Sequence, residues 1–334
     1  MTGRVRIYVV TYERPRLLER ALRSLAAQTL GDWVAEVLND SPSDTRPAEV
    51  IDRVRDARIH LSKPSIHRGG TRNFNFAFAT VEEPFASILE DDNWWEPTFL
   101  ETMVAALEAR KDRSLAVGNE IIWREQRDGS WVNTGKTIWP PSDAIEEFPC
   151  RPLDKCGMAK LCNSAMLFRT HRAEAFQTPD SIPIDVTEHF RERVIPHPIL
   201  LVRKPLVNYG DTLLTHRSKG HRLLSQHLIL LIGSVFTLCP EALRDRMAAV
   251  LWSQVRSTRP LARNTLLGAG LFIPEARALW RQSTTRERLL FVRSCARRPG
   301  TILYAQRATT EHAAAWKFLQ TGWFADFMRT ATEI

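Results

Sequence analysis

Residues 85–89, Phe-Ala-Ser-Ile-Leu, form an apolar run that ends abruptly in Glu90, Asp91 and Asp92. Trp94, Trp95, Glu96 and Pro97 follow, and proline there suits the first position of a helix. An apolar strand that turns into a helix through three acids carries carboxylates at its C-terminal edge. In an open α/β sheet that is the edge where ligands bind. Adjacent carboxylates repel unless a cation lies among them, and hard oxygen ligands suit Mg²⁺ or Mn²⁺. The same acids standing alone read as a solvated turn, so their meaning depends on what else the chain brings to that edge.

Strand and helix patterns alternate around this stretch. Residues 5–10 (Val-Arg-Ile-Tyr-Val-Val) are β-branched and partly alternating, as in a strand. Pro15 opens an amphipathic helix to about residue 28, with Leu17, Leu18, Ala21, Leu22 and Leu25 on one face. Residues 33–38 and 58–61 read as further strands, the first ending in the polar loop 39–44. Arg68-Gly69-Gly70-Thr71-Arg72-Asn73 leads into a helix with Phe74, Ala77 and Phe78 at helical spacing, and residues 97–109 form the helix after the acids. This alternation predicts an α/β fold with a mostly parallel sheet and helices on both faces. The polar loops after strands one, two and four then share one edge.

Beyond residue 115 the pattern changes. Residues 116–123 and 130–138 flank Arg127-Asp128-Gly129, a strong hairpin signal. Residues 162–168 and 200–207 are strand-like, and 184–193 run from a loop into a helix with Asp185 and Glu188 in its opening turns. From about residue 225 the pattern is helical, at 241–255, 274–281, 284–295 and 310–329, punctuated by Pro240, Pro260, Pro274 and Pro299.

Charge follows the same division. The formal net charge is +8, and residues 225–334 hold 15 Lys/Arg against 7 Asp/Glu, which leaves the first 224 residues formally neutral. No export signal and no run long enough to span a bilayer is seen. The five cysteines are therefore expected as reduced thiols in a cytoplasmic protein. Cys150, Cys156 and Cys162 match no zinc spacing. The basic last third suits an anionic bilayer or a lipid-linked acceptor, or else supports an acceptor pocket or a dimer. It carries no nucleic-acid-binding signature, so nucleic acid is not an expected partner.

Five motifs in order resemble the inverting, GT-A fold nucleotide-sugar glycosyltransferases of glycosyltransferase family 2. They are Val9-Val10-Thr11-Tyr12-Glu13-Arg14-Pro15, Ser24-Leu25-Ala26-Ala27-Gln28-Thr29, Asn39-Asp40-Ser41, Arg72-Asn73 and Leu89-Glu90-Asp91-Asp92-Asn93-Trp94-Trp95. The resemblance covers roughly residues 4–220. It implies a catalytic domain over 1–222, with a nucleotide-sugar half to about 115 and an acceptor half over 116–222. The resemblance does not extend to a basic helical region over 223–334.

It further implies transfer from a nucleoside-diphosphate sugar, a UDP-sugar by preference, to a saccharide or lipid-linked acceptor in bacterial polysaccharide or glycoconjugate synthesis. Thr11, Tyr12, Arg14, Asp40, Arg72 and Asp91 are implied donor contacts, and Asp92 with Asp91 the Mn²⁺ or Mg²⁺ ligands. Glu188 is similar in position to the catalytic base, with Asp185 beside it as the alternative. His216 and Arg217 are candidate phosphate contacts. Of Trp94 and Trp95, one is expected in the core and one near the acceptor. Glu90 is read as bracing the backbone. The family usually has Asn at position 13 and Asp at positions 39 and 90. A sugar-phosphate nucleotidyltransferase and a non-catalytic nucleotide-sugar binding protein are the competing readings. The first usually shows a glycine-rich loop that Thr11-Tyr12-Glu13-Arg14-Pro15 lacks.

Overall fold

The computed structural model describes residues 3–62, 66–155, 159–214, 221–256, 260–297 and 306–334. The chain divides into two compact units. The first comprises residues 1–149, 160–177 and 197–216; the second comprises 150–159, 178–196 and 217–334. The division therefore does not follow a single boundary near residue 222.

The first unit is built on one ten-stranded mixed sheet. Its strands are β1 (Val5–Thr11), β2 (Trp33–Asn39), β3 (Ile59–Ser62), β4 (Phe85–Glu90), β5 (Trp94–Trp95), β6 (Leu115–Glu125), β7 (Trp131–Thr137), β8 (Ile145–Phe148), β9 (Met166–Arg169) and β10 (Ile199–Asp211). The order is β3-β2-β1-β4-β9-β6-β10-β5, with β7 on β6 and β8 on β10. β1 to β4 pair in parallel, as do β6 and β10, while β9 runs antiparallel between β4 and β6.

Register carries the functional consequence. Thr11 pairs with Asn39 and Val10 with Glu90, so the loops after β1, β2 and β4 leave the sheet side by side. The convergence expected from the strand–helix alternation is thus present.

The first helix, α1 (Pro15–Ala26), buries Leu17, Leu18, Ala21, Leu22 and Leu25 as its spacing predicts. α2 (Arg46–Val54) and β8 are additional to the sequence expectations. α3 (Gly70–Ala77) buries Phe74 and Ala77. α4 (Phe99–Ala109) starts two residues later than expected, with Thr98 at its N-cap. Pro97 stays in the preceding turn, where its carbonyl accepts hydrogen bonds from the amide and hydroxyl of Thr29. The hairpin β6–β7 closes as its sequence predicts. Gly129 has φ of 82°, and the Ser130 amide donates to Asp128 Oδ1 at 2.9 Å.

The second unit is helical over its C-terminal part. Its helices are α5 (Thr187–Arg191), α6 (His221–Leu238), α7 (Glu241–Val255), α8 (Pro260–Phe272), α9 (Arg277–Arg281), α10 (Thr285–Arg297), α11 (Ala308–Glu311), α12 (Ala313–Leu319) and α13 (Trp323–Arg329). The single helix expected over 310–329 is three short ones. Ile182, Val186 and Phe190, from a segment well before the helical tail, share a core with Leu230, Leu231, Ala315 and Leu319. Hydrophobic burial of this kind explains why 178–196 groups with the tail. Among the described residues no helix is long and apolar enough to cross a membrane. Cys239 and Cys295 are buried free thiols, and Cys156 lies outside the described residues.

Two histidines in this unit are buried in neutral form. Burial, with Arg193 nearby, lowers the pKa of His189 to about 4. Burial also lowers that of His227 to about 4; its bond to the Leu223 carbonyl opposes this and His312 adds to it. The unfolded chain protonates such rings near pH 6.5, the folded chain only near 4. Below pH 6.5 unfolding therefore takes up protons and is favoured. Stability should fall as the pH drops from about 6.5 to about 4, by on the order of 3 kcal/mol per histidine at the acid end. Thermal unfolding of His189→Gln and His227→Gln against pH checks this. Profiles that keep the wild-type slope would refute it.

Candidate active site

The acids at the end of β4 differ sharply in environment although they are neighbours. Asp91 has no solvent exposure. Its amide donates to the Val10 carbonyl, which locks it to the end of β1. The Thr11 hydroxyl donates to Asp91 Oδ2 at 2.7 Å, and the Tyr12 amide also donates to the carboxylate. Arg14 Nη2 lies 2.5 Å from Asp91 Oδ1, and Nη1 lies 2.8 Å from Asp92 Oδ2. Burial pushes the Asp91 carboxyl up to about 7, while Arg14 opposes that rise. The Arg14 guanidinium is pulled down by burial, yet Asp91 and Asp92 hold it above its ordinary value.

Asp92 is different: its side chain is 21% exposed. Arg14 takes Oδ2, and among the described residues Oδ1 accepts no hydrogen bond. A half-exposed carboxylate with a spare oxygen at a strand edge fits a hard divalent cation. Asp91, enclosed by Thr11, Tyr12 and Arg14, is placed to orient that group.

The backbone of Asp92 is boxed in from two sides. Arg20 Nη2 donates to its carbonyl at 2.7 Å. The Arg20 guanidinium lies between the rings of Trp94 and Trp131, 3.8 and 3.9 Å from their centroids. Burial lowers the Arg20 pKa to about 10, with Asp92, Glu125 and Asp91 opposing. From the other side comes Gly210 of β10, whose amide donates to Asn93 Oδ1 at 2.9 Å. A Cβ on Gly210 would overlap the Asp92 carbonyl oxygen.

Ser164 ties the same turn to the start of β9. Its hydroxyl donates to Glu90 Oε2 at 2.9 Å and accepts from the Glu90 amide and from Asn93 Nδ2. Glu90 thus braces the turn through the side chains of Ser164 and Asn93. Trp95 is buried, stacks on Phe99 and donates Nε1–H to the Ser164 carbonyl at 2.7 Å. Trp94 is half-buried among Arg20, Trp123 and Trp131. Ser164, Arg20, Gly210 and Trp131 carried no signal in the sequence. Each acts through a contact between segments far apart in the chain.

The loop after β2 forms a second cluster on this edge. Asp40 Oδ1 accepts the amides of Arg68 and Gly69 at 2.8 and 3.1 Å. His67 Nδ1–H donates to the Asp40 carbonyl at 2.7 Å, and the His67 ring lies 5.4 Å from that of Tyr12. Asn39 Nδ2 donates to the carbonyls of Ser41 and Asp44, shaping the loop. Glu13 adopts a left-handed φ of 57°, where asparagine is better tolerated than glutamate. Arg72 lies exposed on α3. Asp185 and Glu188 are half-buried at the opening of α5, in the second unit. His216 and Arg217 lie outside the described residues.

Residues 6–156 match the model of glycosyl transferase family 2. The chain carries a family 2 glycosyl transferase domain. WcaA of Escherichia coli strain K12, named as a glycosyl transferase of colanic acid biosynthesis, is 23% identical over 119 residues. That stretch is 35% of this chain and 43% of WcaA, so the chain spans less than half of that curated relative. Among solved structures, the S. aureus TarS fragment 1–349 superposes with a TM-score of 0.58 at 14% identity, covering 92% of this chain and 91% of that one. Its complex with UDP-GlcNAc gives 0.58 at 15% identity over 92% of both chains. Similarity at this level establishes a GT-A fold. The family 2 domain contains the whole Thr11–Arg14–Asp91–Asp92 cluster, whereas Asp185 and Glu188 lie beyond the matched span.

The close approach at Gly210 makes a specific demand on the first unit. Gly210→Ala should destabilise it by about 1–3 kcal/mol, the usual cost of overpacking. Equilibrium unfolding in urea measures this, and a change within experimental error would show that the Asp92 turn yields freely.

Proposed function

We propose that this chain transfers a sugar from a nucleoside-diphosphate sugar to an acceptor hydroxyl, with inversion at the anomeric carbon. The observation that carries the proposal is the pairing of an enclosed Asp91 with a half-exposed Asp92 at the end of β4. Around them stand Thr11, Tyr12 and Arg14 from the neighbouring strand end. A UDP-sugar is the proposed donor, in keeping with the fold shared with TarS, which was solved with UDP and with UDP-GlcNAc. The acceptor in this reading is a saccharide or a lipid-linked glycan of bacterial surface synthesis.

In the reaction the acceptor hydroxyl gives its proton to a carboxylate, and its oxygen attacks the anomeric carbon. The bond to the nucleoside diphosphate breaks, and the electron pair leaves on the phosphate oxygen. The transition state is oxocarbenium-like, as in glycoside hydrolysis. Glu188 is the proposed base, and Asp185 the alternative. Asp40 and Tyr12 are proposed to frame the nucleotide base, and Arg72 to meet the diphosphate. Asp92 would hold a divalent ion, with Asp91 orienting it; Mg²⁺ or Mn²⁺ there supplies charge neutralisation for the leaving diphosphate. Arg14 holds Asp92 in place and keeps the pair of acids from repelling each other.

Titration of donor binding with Mn²⁺ and with EDTA tests the acids. Asp92→Asn should fold normally and lose at least about tenfold in Mn²⁺-dependent donor affinity, with a larger loss in turnover, because the lost charge matters most in the transition state. Glu188→Gln should keep donor binding while transfer falls by roughly two to four decades. Donor binding and turnover indifferent to EDTA would remove the metal from the proposal. A silent Glu188→Gln beside a crippled Asp185→Asn would move the base to Asp185.

A further inference from the structure

Helix α10 presents an outer face of mixed chemistry. Its inner side is fixed by Phe291 and Cys295, both buried, with the Phe291 ring edge-on to Trp280 at 6.1 Å. That leaves Leu289 and Val292 in solvent at 65% and 57% exposure, the most exposed large apolar side chains of the second unit among the described residues. Helical spacing lines up Val292, Ala296 and Leu289 as one strip and Arg293, Arg286 and Arg297 as the strip beside it. All six are exposed.

The other charges of the helix are turned elsewhere. Glu287 accepts the Thr284 amide and pairs with Arg256, while the Thr284 hydroxyl accepts the Glu287 amide, a capping box. The Arg288 guanidinium donates to the carbonyls of Trp280, Arg281 and Ser283. Arg286, Arg293 and Arg297 make no ion pair among the described residues. Among the described residues, the outer face of the helix therefore offers apolar side chains and three guanidinium groups without an ion pair, and no acid of its own.

We propose that this face seats the protein on an anionic lipid bilayer. A single exposed leucine needs no explanation. An apolar strip flanked by arginines is another matter, because it matches the boundary where acyl chains meet phosphate headgroups. Guanidinium is weakly hydrated and binds phosphate through two parallel hydrogen bonds, so arginine is well suited to that boundary. The contact is peripheral, since no described helix can cross the membrane. It is also reversible, because one short apolar strip and a few cations give modest affinity. This inference does not depend on the reaction proposed above.

Co-sedimentation of the full chain with vesicles tests it. The comparison is between equal parts phosphatidylglycerol and phosphatidylcholine, and phosphatidylcholine alone. The wild type should pellet with the anionic vesicles, be released by salt, and stay in solution with the neutral ones. Each arginine near such a surface is worth about fivefold in affinity, so Arg286→Ser, Arg293→Ser and Arg297→Ser together should weaken binding about a hundredfold. Leu289→Ser with Val292→Ser should also weaken it, while circular dichroism confirms the helical content of every variant. A wild type that ignores anionic vesicles would overturn the proposal, as would variants that bind unchanged. Conversion of a dimer to a monomer by these substitutions, without effect on vesicle binding, would assign the face to self-association instead.

Discussion

A carboxylate with no exposure to solvent dictates the architecture of the sheet edge. An isolated charge at Asp91 would cost more than a domain's whole net stability, so the chain encloses it in donors. A hydroxyl, an amide and a guanidinium are all drawn from the four residues Thr11–Arg14. They reach Asp91 because β1 and β4 are parallel neighbours in register, with Val10 opposite Glu90. Bringing Arg14 back over the strand end requires the left-handed φ at Glu13. That conformation costs on the order of 1 kcal/mol in a residue with a side chain. That cost is small beside leaving Asp91 buried without its partner, which runs to several kcal/mol.

The same arginine makes two identical side chains chemically distinct. Successive residues leaving a strand point in different directions, so Asp91 turns inward and Asp92 outward. Arg14 spans both, yet only Asp92 keeps access to solvent. Environment sorts the two acids into a fixed support and a group able to meet a ligand, the division that separates roles in many paired-carboxylate sites. The support extends further through backbone contacts. Arg20 and Gly210 hold the Asp92 carbonyl from opposite sides, and Ser164 holds the turn through Glu90 and Asn93. The end of β1, the first helix, β10 and the turn before β9 all contribute to where one carboxylate stands.

The elements that could be read from sequence are those whose signal is local. Leu17 to Leu25 on α1, the Asp128-Gly129 turn and the acids after Leu89 declare themselves within a few residues, and they stand where periodicity puts them. β5 is only Trp94–Trp95 and exists because β10 lies beside it, so no period could reveal it. α2 was hidden in a polar stretch with two buried residues, Pro47 and Val50, in nine. The grouping of Ile182, Val186 and Phe190 with the helical tail rests on contacts between segments far apart in the chain. Arg14 was legible as a candidate site residue, but its position between the acids depended on the sheet register. The tryptophan pair showed that one ring belongs in the core, but only the packing against Phe99 and Ser164 selects Trp95.

The three positions where this chain departs from the residues usual in the family it resembles share a feature. Glu13 accepts a hydrogen bond from Ser41, Asn39 ties the carbonyls of Ser41 and Asp44, and Glu90 accepts from Ser164 and Asn93. Each shapes a loop, and none replaces Asp91 or Asp92. At position 90 the longer side chain reaches across to β9, which an aspartate on the same backbone would not do so readily. At position 39 an amide can donate to two carbonyls where a carboxylate would repel them. Two of the three meet at Ser41, directly after Asp40, in the loop proposed to frame the nucleotide base. On that reading the charge chemistry at the end of β4 is kept, while the loops that present the donor are rebuilt.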